Sequence, residues 1–273
     1  MIAAVTGTEL DYIHFIVLGL IQGLTEFLPI SSAAHLILVP RVLGWEDQGL
    51  AIDLAAHVGT LSAVIFYFRR ELKQMSAGWL SSGFSFDDRQ SRYVWYLIVA
   101  TLPVAITGLL ASDFVELHLR DPLVIAATTI LFGLLLWWAD ASGKRSRDEA
   151  VLEWKDVLII GAAQVLALVP GTSRSGITMT AGLLLGLDRE SASRFSFMLS
   201  IPTTFLAGSY GAYQLVSSAT EVDWMAVVLV TVVSAVTAAL TIHYFLKFLK
   251  RTGMLPYAIY RLILGGVLIY LFV

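Results

Sequence analysis

Gln22, Thr25, Glu26, Ser31, Ser32 and His35 crowd into one short stretch of otherwise apolar chain, Gln22-Gly-Leu-Thr25-Glu26-Phe-Leu-Pro-Ile-Ser31-Ser32-Ala-Ala-His35. Gln22 and Glu26 stand four apart and so share a helix face. An ionisable group inside an apolar segment is expensive, which makes Glu26 a candidate functional residue by default. The plainer alternative is that Glu26 and His35 pair and cap a helix break.

A second stretch, Pro170-Gly171-Thr172-Ser173-Arg174-Ser175-Gly176 followed by Thr178, sets an arginine among hydroxyls and glycines where a helix should restart. A helix start offers free N–H groups and the positive end of a dipole, and a guanidinium adds a bidentate fork, so these residues read as an anion site. The structural alternative is a Ser173 cap beside an Arg174 that snorkels to the surface. The sequence has no GxxxxGK[ST] run, so nucleotide hydrolysis is not supported.

The two stretches are complementary: an acid, an imidazole and hydroxyls from one, a phosphate clamp from the other. That combination points to phosphoryl transfer. His35 fits a general base or a nucleophile, and Ser32 fits a nucleophile that it activates. Glu26 fits either an orienting partner for His35 or a ligand for a hard divalent cation, with a diphosphate completing the shell. His57, in Ala-Ala-His-Val-Gly-Thr, ranks lower, bordering the site or serving structure. Asp140, His243 and Arg261 are expected to anchor or pair near the cytoplasmic ends of spans, and His118 to lie in a loop.

The elements that position these residues belong in a bilayer. Of 273 residues 57% are hydrophobic and only 14% charged, with mean hydropathy +0.77. Soluble domains carry roughly 25% charged residues. The absence of cysteine excludes disulfides, thiolate nucleophiles and cysteine metal sites. A net charge of -3 without a basic, aromatic-laced patch argues against nucleic acid as a partner. Met1 to Asp11 carries Glu9 and Asp11 and lacks a basic n-region, so it reads as a retained, exposed leader.

Six stretches are long enough to span: Ala51 to Phe68, Tyr93 to Ala111, Pro122 to Asp140, Phe195 to Val216, Trp224 to Leu246 and Tyr257 to Val273. All should be helical, since an open strand would leave backbone groups unpaired in lipid. Residues 12–44 and 157–187 are apolar but broken at the two polar stretches, which suits re-entrant hairpins better than crossings. The broken regions also resemble each other: Gly19-Leu-Ile-Gln22 aligns with Gly161-Ala-Ala-Gln164, and Leu43-Gly44 with Leu185-Gly186. The expected fold is therefore an all-α integral membrane domain covering residues 1–273. It has six transmembrane helices and two re-entrant helical hairpins in an inverted-topology repeat, about 12–140 and about 157–273. Loops at 69–92, 141–156, 188–194 and 247–256 hold fourteen of the 18 Lys and Arg, which puts them in the cytoplasm and both termini outside.

Gly-Leu-Thr-Glu-Phe-Leu-Pro-Ile-Ser-Ser-x-x-His and Pro-Gly-Thr-Ser-Arg-Ser-Gly-x-Thr resemble, in order and spacing, the two signature segments of the bacterial undecaprenyl-diphosphate phosphatase family associated with bacitracin resistance. The resemblance covers the whole chain. It implies hydrolysis of undecaprenyl diphosphate at the outer face of the bacterial cytoplasmic membrane, which recycles the cell-wall carrier lipid. It further implies a divalent cation, magnesium or calcium, and among membrane lipids a prenyl diphosphate as the partner; a homo-oligomer is compatible with it. Carried onto this sequence, Glu26, Ser32, His35 and Arg174 would be catalytic. Gln22, Thr25, Ser31, Ser173, Ser175 and Thr178 would bind substrate, with Glu26 also on the metal. The chain departs from the pattern at Gln22, where many relatives carry Glu, and at Ala33-Ala34, where Thr-Gly is common. Gln keeps an oxygen ligand but no charge. A lipid-phosphate flippase or anion transporter on the same inverted repeat is the rival from another class.

Overall fold

The structure is a computed structural model and describes residues 8–45, 48–217 and 222–272. Of the expected leader, residues 1–7 lie outside the described residues. Among those described the chain forms eleven α-helices and no strand. They are α1 (Thr8–Thr25), α2 (Ser32–Leu43), α3 (Gly49–Tyr67), α4 (Arg69–Ser81), α5 (Arg89–His118), α6 (Pro122–Ser142), α7 (Trp154–Val165), α8 (Arg174–Leu184), α9 (Arg189–Ser217), α10 (Trp224–Thr252) and α11 (Leu255–Phe272).

Five helices are long and apolar enough to cross a membrane: α3, α5 over Arg89–Ser112, α6, α10 and α11. The chain is thus a multi-pass membrane protein. The sixth expected span, Phe195–Val216, falls inside α9, whose 29 residues are long enough. Its Ser, Thr and Gly content and interior Pro202 leave it less apolar than the other five. Besides α4, which has 13 residues, four helices are short. Tyr12–Thr25 is the apolar part of α1, α2 and α7 have 12 residues each and α8 has 11. At about 1.5 Å per residue none covers a hydrocarbon core of about 30 Å.

All four of the expected basic loops are partly helical, 141–156 through the end of α6 and the start of α7. Residues 69–81 form α4, which is amphipathic, burying Met75 and exposing Arg69 and Arg70. α9 already begins at Arg189, because the Asp188 carboxylate accepts the Ser191 N–H (2.7 Å) and starts the helix. α10 runs on to Thr252, with Lys250 and Arg251 in its last turn, where cations oppose the helix dipole.

Small residues let the long helices approach closely. A side chain at Gly59 of α3 would run into the Thr231 carbonyl of α10, and Ser234 of α10 donates to the Ala56 carbonyl (2.8 Å). α1 lies against α10 through Gly19 and Gly23, and α7 against α5 through Gly161, beside Ala100. Without a hydrophobic drive between helices in lipid, such close contacts and interhelical hydrogen bonds hold the bundle. The result is a scaffold in which the breaks between α1 and α2 and between α7 and α8 meet inside.

Candidate active site

Both breaks follow from local chemistry. α1 ends at Thr25, and Pro29 cannot continue a helix. Ser31 then takes a left-handed conformation (φ 73) before α2 starts at Ser32. The second break turns at Pro170-Gly171, and Ser173 (φ 71) precedes α8, which opens at Arg174. Positive φ in a non-glycine residue is strained and persists where surroundings hold it, commonly at functional sites. Ser173 caps α8: its Oγ accepts the Gly176 N–H at 3.1 Å. Ser31 accepts the Ala34 N–H at 3.4 Å.

Glu26 stands at the centre. Its Oε1 accepts from Arg174 Nη2 at 2.8 Å, an ion pair between the two breaks with side chains only 10% and 14% exposed. Its Oε2 accepts from Gln22 Nε2 at 3.1 Å and from Ser32 Oγ at 2.9 Å. Arg174 spends its other amino group on the Ser196 carbonyl of α9 (3.0 Å). His57 of α3 brings Nε2 to 4.0 Å from the same Oε2. Its Nδ1 faces the Asp53 carbonyl at 2.7 Å and donates to it, since a carbonyl only accepts. Nε2 is thus the ring nitrogen left facing Glu26.

His35 is placed elsewhere. It is 7% exposed, its Nδ1 donates to the Ser31 carbonyl (2.7 Å), and its Nε2 lies 2.6 Å from the Tyr260 hydroxyl of α11. The two rings stack with centroids 5.6 Å apart. Both ring nitrogens are thus engaged away from Glu26. The remaining expected binding residues brace the breaks. Thr25 donates to the Ile21 carbonyl (2.7 Å), Ser175 to the Leu28 carbonyl (3.0 Å), and Thr178 lies 2.7 Å from Ser196 Oγ.

A cavity of about 440 Å³ opens beside the ion pair. Glu26, Ser31, Ser32, His57, Ser173 and Arg174 form its polar wall, while Leu54, Val104, Leu168 and Ala207 form an apolar one. An anionic head fits the first wall and a hydrocarbon tail the second. Sequence reasoning left His57 between bordering the site and serving structure, and the structure places it at the cavity. The available signal was Asp53 and His57, one helical turn apart inside an apolar span. Sequence reasoning misplaced Arg261, which is fully buried against both breaks rather than anchored at an interface.

For a divalent cation the donor set is lean. Among the described residues no group of three or more His, Cys, Asp or Glu comes together. Glu26 and Asp53 are the carboxylates that line the cavity, and beside Glu26 the Gln22 Oε1 is buried without a hydrogen-bond partner. An orphaned acceptor beside a carboxylate fits a hard cation that takes most of its remaining oxygens from a phosphate.

The family described as bacitracin resistance protein BacA matches residues 15–267. Among curated relatives, "Undecaprenyl-diphosphatase 2" of Stutzerimonas stutzeri (strain A1501) is 56% identical over 268 residues, which is 96% of this chain and 99% of that protein. "Undecaprenyl-diphosphatase" of Nitrosococcus oceani is 54% identical over 264 residues, covering 96% of this chain and 100% of that one. A protein with the same printed name from Teredinibacter turnerae is 56% identical over 263 residues, 95% and 98% of the two chains.

Proposed function

The chain belongs to the bacitracin resistance protein BacA family, and from that membership we propose that it is a membrane phosphatase hydrolysing undecaprenyl diphosphate to undecaprenyl phosphate and inorganic phosphate. The observation that carries the reading is the convergence of Ser32 Oγ and Arg174 Nη2 on one carboxylate, Glu26, at the polar part of a largely apolar cavity. In the proposed reaction the terminal phosphate displaces Glu26 from Arg174 and settles at the start of α8. Ser32 Oγ attacks the terminal phosphorus and gives its proton to Glu26. The bond from that phosphorus to the bridging oxygen breaks, and undecaprenyl phosphate leaves. Water then attacks the phosphoserine phosphorus and gives a proton to His57 Nε2, while protonated Glu26 returns its proton to Ser32 Oγ as the phosphorus–Oγ bond breaks and inorganic phosphate leaves. Arg174 and the α8 N-terminus balance charge on the equatorial oxygens. His35 positions rather than reacts, since its bonds to the Ser31 carbonyl and Tyr260 fix the first turn of α2 that carries Ser32.

Glu26 and Gln22 are the residues proposed to hold magnesium or calcium together with the diphosphate. Such a cation supplies charge neutralisation on the transferring phosphoryl group.

The proposed topology has six crossings, with α9 as the sixth, and two re-entrant hairpins, α1–α2 and α7–α8, in inverted repeats of about 12–140 and about 157–273. Support comes from equivalent positions 142 apart: Ser31 and Ser173 share a positive φ, as do Gly44 and Gly186. Gly19 packs α1 on α10 as Gly161 packs α7 on α5. The uneven distribution of Lys and Arg supports outward termini and a cavity open to the outer face of the bacterial cytoplasmic membrane.

The test is phosphate release from a long-chain prenyl diphosphate by the purified protein, with magnesium, calcium or chelator. Cation-dependent release by wild type that is lost in Arg174→Ala is the expected result. Wild type releasing nothing with any cation would sink the phosphatase, and lipid-phosphate transport in liposomes, the other use of an inverted repeat, would replace it.

A further inference from the structure

Arg261 of α11 is fully buried, with 0% exposure. All five of its N–H groups are spent on backbone carbonyls. Nε donates to Thr129 (3.0 Å), Nη1 to Pro29 (3.3 Å) and Thr172 (2.9 Å), and Nη2 to Thr128 (3.4 Å) and Gly171 (2.8 Å). Pro29 lies in the first break, Gly171 and Thr172 in the second, and Thr128 and Thr129 on α6. One side chain thereby ties together both segments that build the cavity wall.

Its charge has no counterpart. Arg147 pairs with Asp156, Arg174 with Glu26, Arg189 with Asp140 and Arg194 with Glu149 and Glu71. Among the described residues no carboxylate pairs with Arg261. Carbonyl dipoles satisfy its hydrogen bonds without cancelling its charge, and an unpaired buried ion is costly. The guanidinium also lies against the first turn of α8: a Cβ placed at Gly176 would sit 2.9 Å from Nη1. That turn is the positive end of a helix dipole. Two positive poles side by side are unfavourable in an empty protein and favourable beneath a polyanion.

We propose that Arg261 is a positioning residue for the diphosphate, fixing the Pro29 and Gly171–Thr172 carbonyls so that Ser32 and Arg174 face one cavity, while its unpaired charge strengthens the hold of the α8 cradle on a polyanion. The inference rests on the phosphatase reading above and goes beyond it to a residue that contacts neither the cavity nor the reacting atoms. The two parts of the role separate by substitution. Lysine keeps the charge but has three donors for five carbonyls; methionine keeps the bulk but removes the charge. Gly133→Ala leaves Arg261 in place and presses on it, because the new Cβ would lie 3.0 Å from Arg261 Cβ.

The experiment compares full-length wild type, Arg261→Lys, Arg261→Met and Gly133→Ala in detergent. Readouts are kcat and KM on a long-chain prenyl diphosphate, the affinity for inorganic pyrophosphate by calorimetry, and the thermal midpoint. Arg261→Lys is expected to keep pyrophosphate affinity within about threefold of wild type, a shift of less than about 0.7 kcal/mol. Its kcat should fall about 10- to 100-fold through misplacement of Ser32 and Arg174. Arg261→Met should weaken pyrophosphate binding about tenfold, and Gly133→Ala should lower kcat several-fold with affinity unchanged. Folded Arg261→Met that binds pyrophosphate like wild type would overturn the electrostatic half. Wild-type kcat in both Arg261→Lys and Gly133→Ala would overturn the positioning half. Should Arg261→Met fail to fold, Arg261→Lys and Gly133→Ala decide: lowered kcat with retained affinity supports the role, and any other pattern counts against it. Failure of the phosphatase reading would look different, as wild type binding pyrophosphate without releasing phosphate from lipid, and the affinity comparison would still judge Arg261.

Discussion

Glu26 and Arg174 form an ion pair whose side chains are 10% and 14% exposed, so the two charges should be strongly coupled. Removing one partner of a buried pair leaves an uncompensated charge and typically costs about 3–5 kcal/mol, whereas removing both is often nearly neutral. Arg174→Gln strands Glu26 with only the neutral donors Gln22 and Ser32. Glu26→Gln strands Arg174 on the Ser196 carbonyl. Residual exposure places both at the lower end, about 3 kcal/mol each. At roughly 2–4 °C per kcal/mol for a chain of this size, each single variant should lower the thermal midpoint by about 6–12 °C. The double variant exchanges the ion pair for a neutral amide pair and should recover to within about 4 °C of wild type. Thermal unfolding in detergent, followed by tryptophan fluorescence across all four proteins, reads this directly. Turnover should be lost in all three variants, so stability and activity part company in the double. A double variant whose loss equals the sum of the singles would show that the charges do not interact and refute the reasoning.

Three further outcomes are expected. Ser32→Ala should lower kcat by at least about 10³-fold, as loss of a nucleophile does, while the thermal midpoint moves little, because one partly exposed hydrogen bond is lost; a rate near wild type would remove Ser32 from the reaction. Tyr260→Phe removes the 2.6 Å contact to His35 Nε2 and should lower kcat several-fold with KM nearly unchanged; an unaltered kcat would show that His35 does not act through this contact. Gly171→Ala should lower the thermal midpoint and abolish turnover, since φ is +90 there and a Cβ would collide with Thr128 Oγ1 and the Ile125 carbonyl; strain of about 1–3 kcal/mol accompanies the collision, and an unchanged melting curve would contradict it.

The local parts of the site were legible in the sequence. Proline, glycine and serine punctuated the two apolar stretches, and the helices stop and restart there. The four-residue spacing of Gln22 and Glu26 became a hydrogen bond of 3.1 Å, and Ser173 and Arg174 took the cap and first-turn positions that their types favour. The parts that depend on tertiary geometry were not legible. Glu26 and Arg174 are 148 positions apart, so nothing local announces their pairing. His35 and His57 both lie in apolar helices, and what turns one ring away from the cavity is Tyr260, 225 positions later. Arg261 reads as an interfacial anchor because its partners are all backbone carbonyls, which leave no mark in side-chain pattern. The sequence over α4 reads as loop because its thirteen residues are too polar to span, yet they pack one face on the bundle.

Gln22 gains meaning from the same geometry. A glutamate at that position would set a second carboxylate one helical turn from Glu26, and two like charges so close need a cation between them or one proton shared. The amide instead donates to Glu26 Oε2 and adds no charge, so the Glu26–Arg174 pair is neutral as it stands. A neutral pair of this kind is a latch. An arriving diphosphate competes for the guanidinium with stronger, bidentate acceptors, and every bond Arg174 gives to phosphate is one taken from Glu26. A carboxylate that has lost its guanidinium is a better acceptor for the Ser32 proton, whose hydrogen bond to Oε2 is already in place at 2.9 Å. In the proposed reaction, binding and base activation are therefore one event: the anion that the second break would capture is what would ready Ser32 on the first.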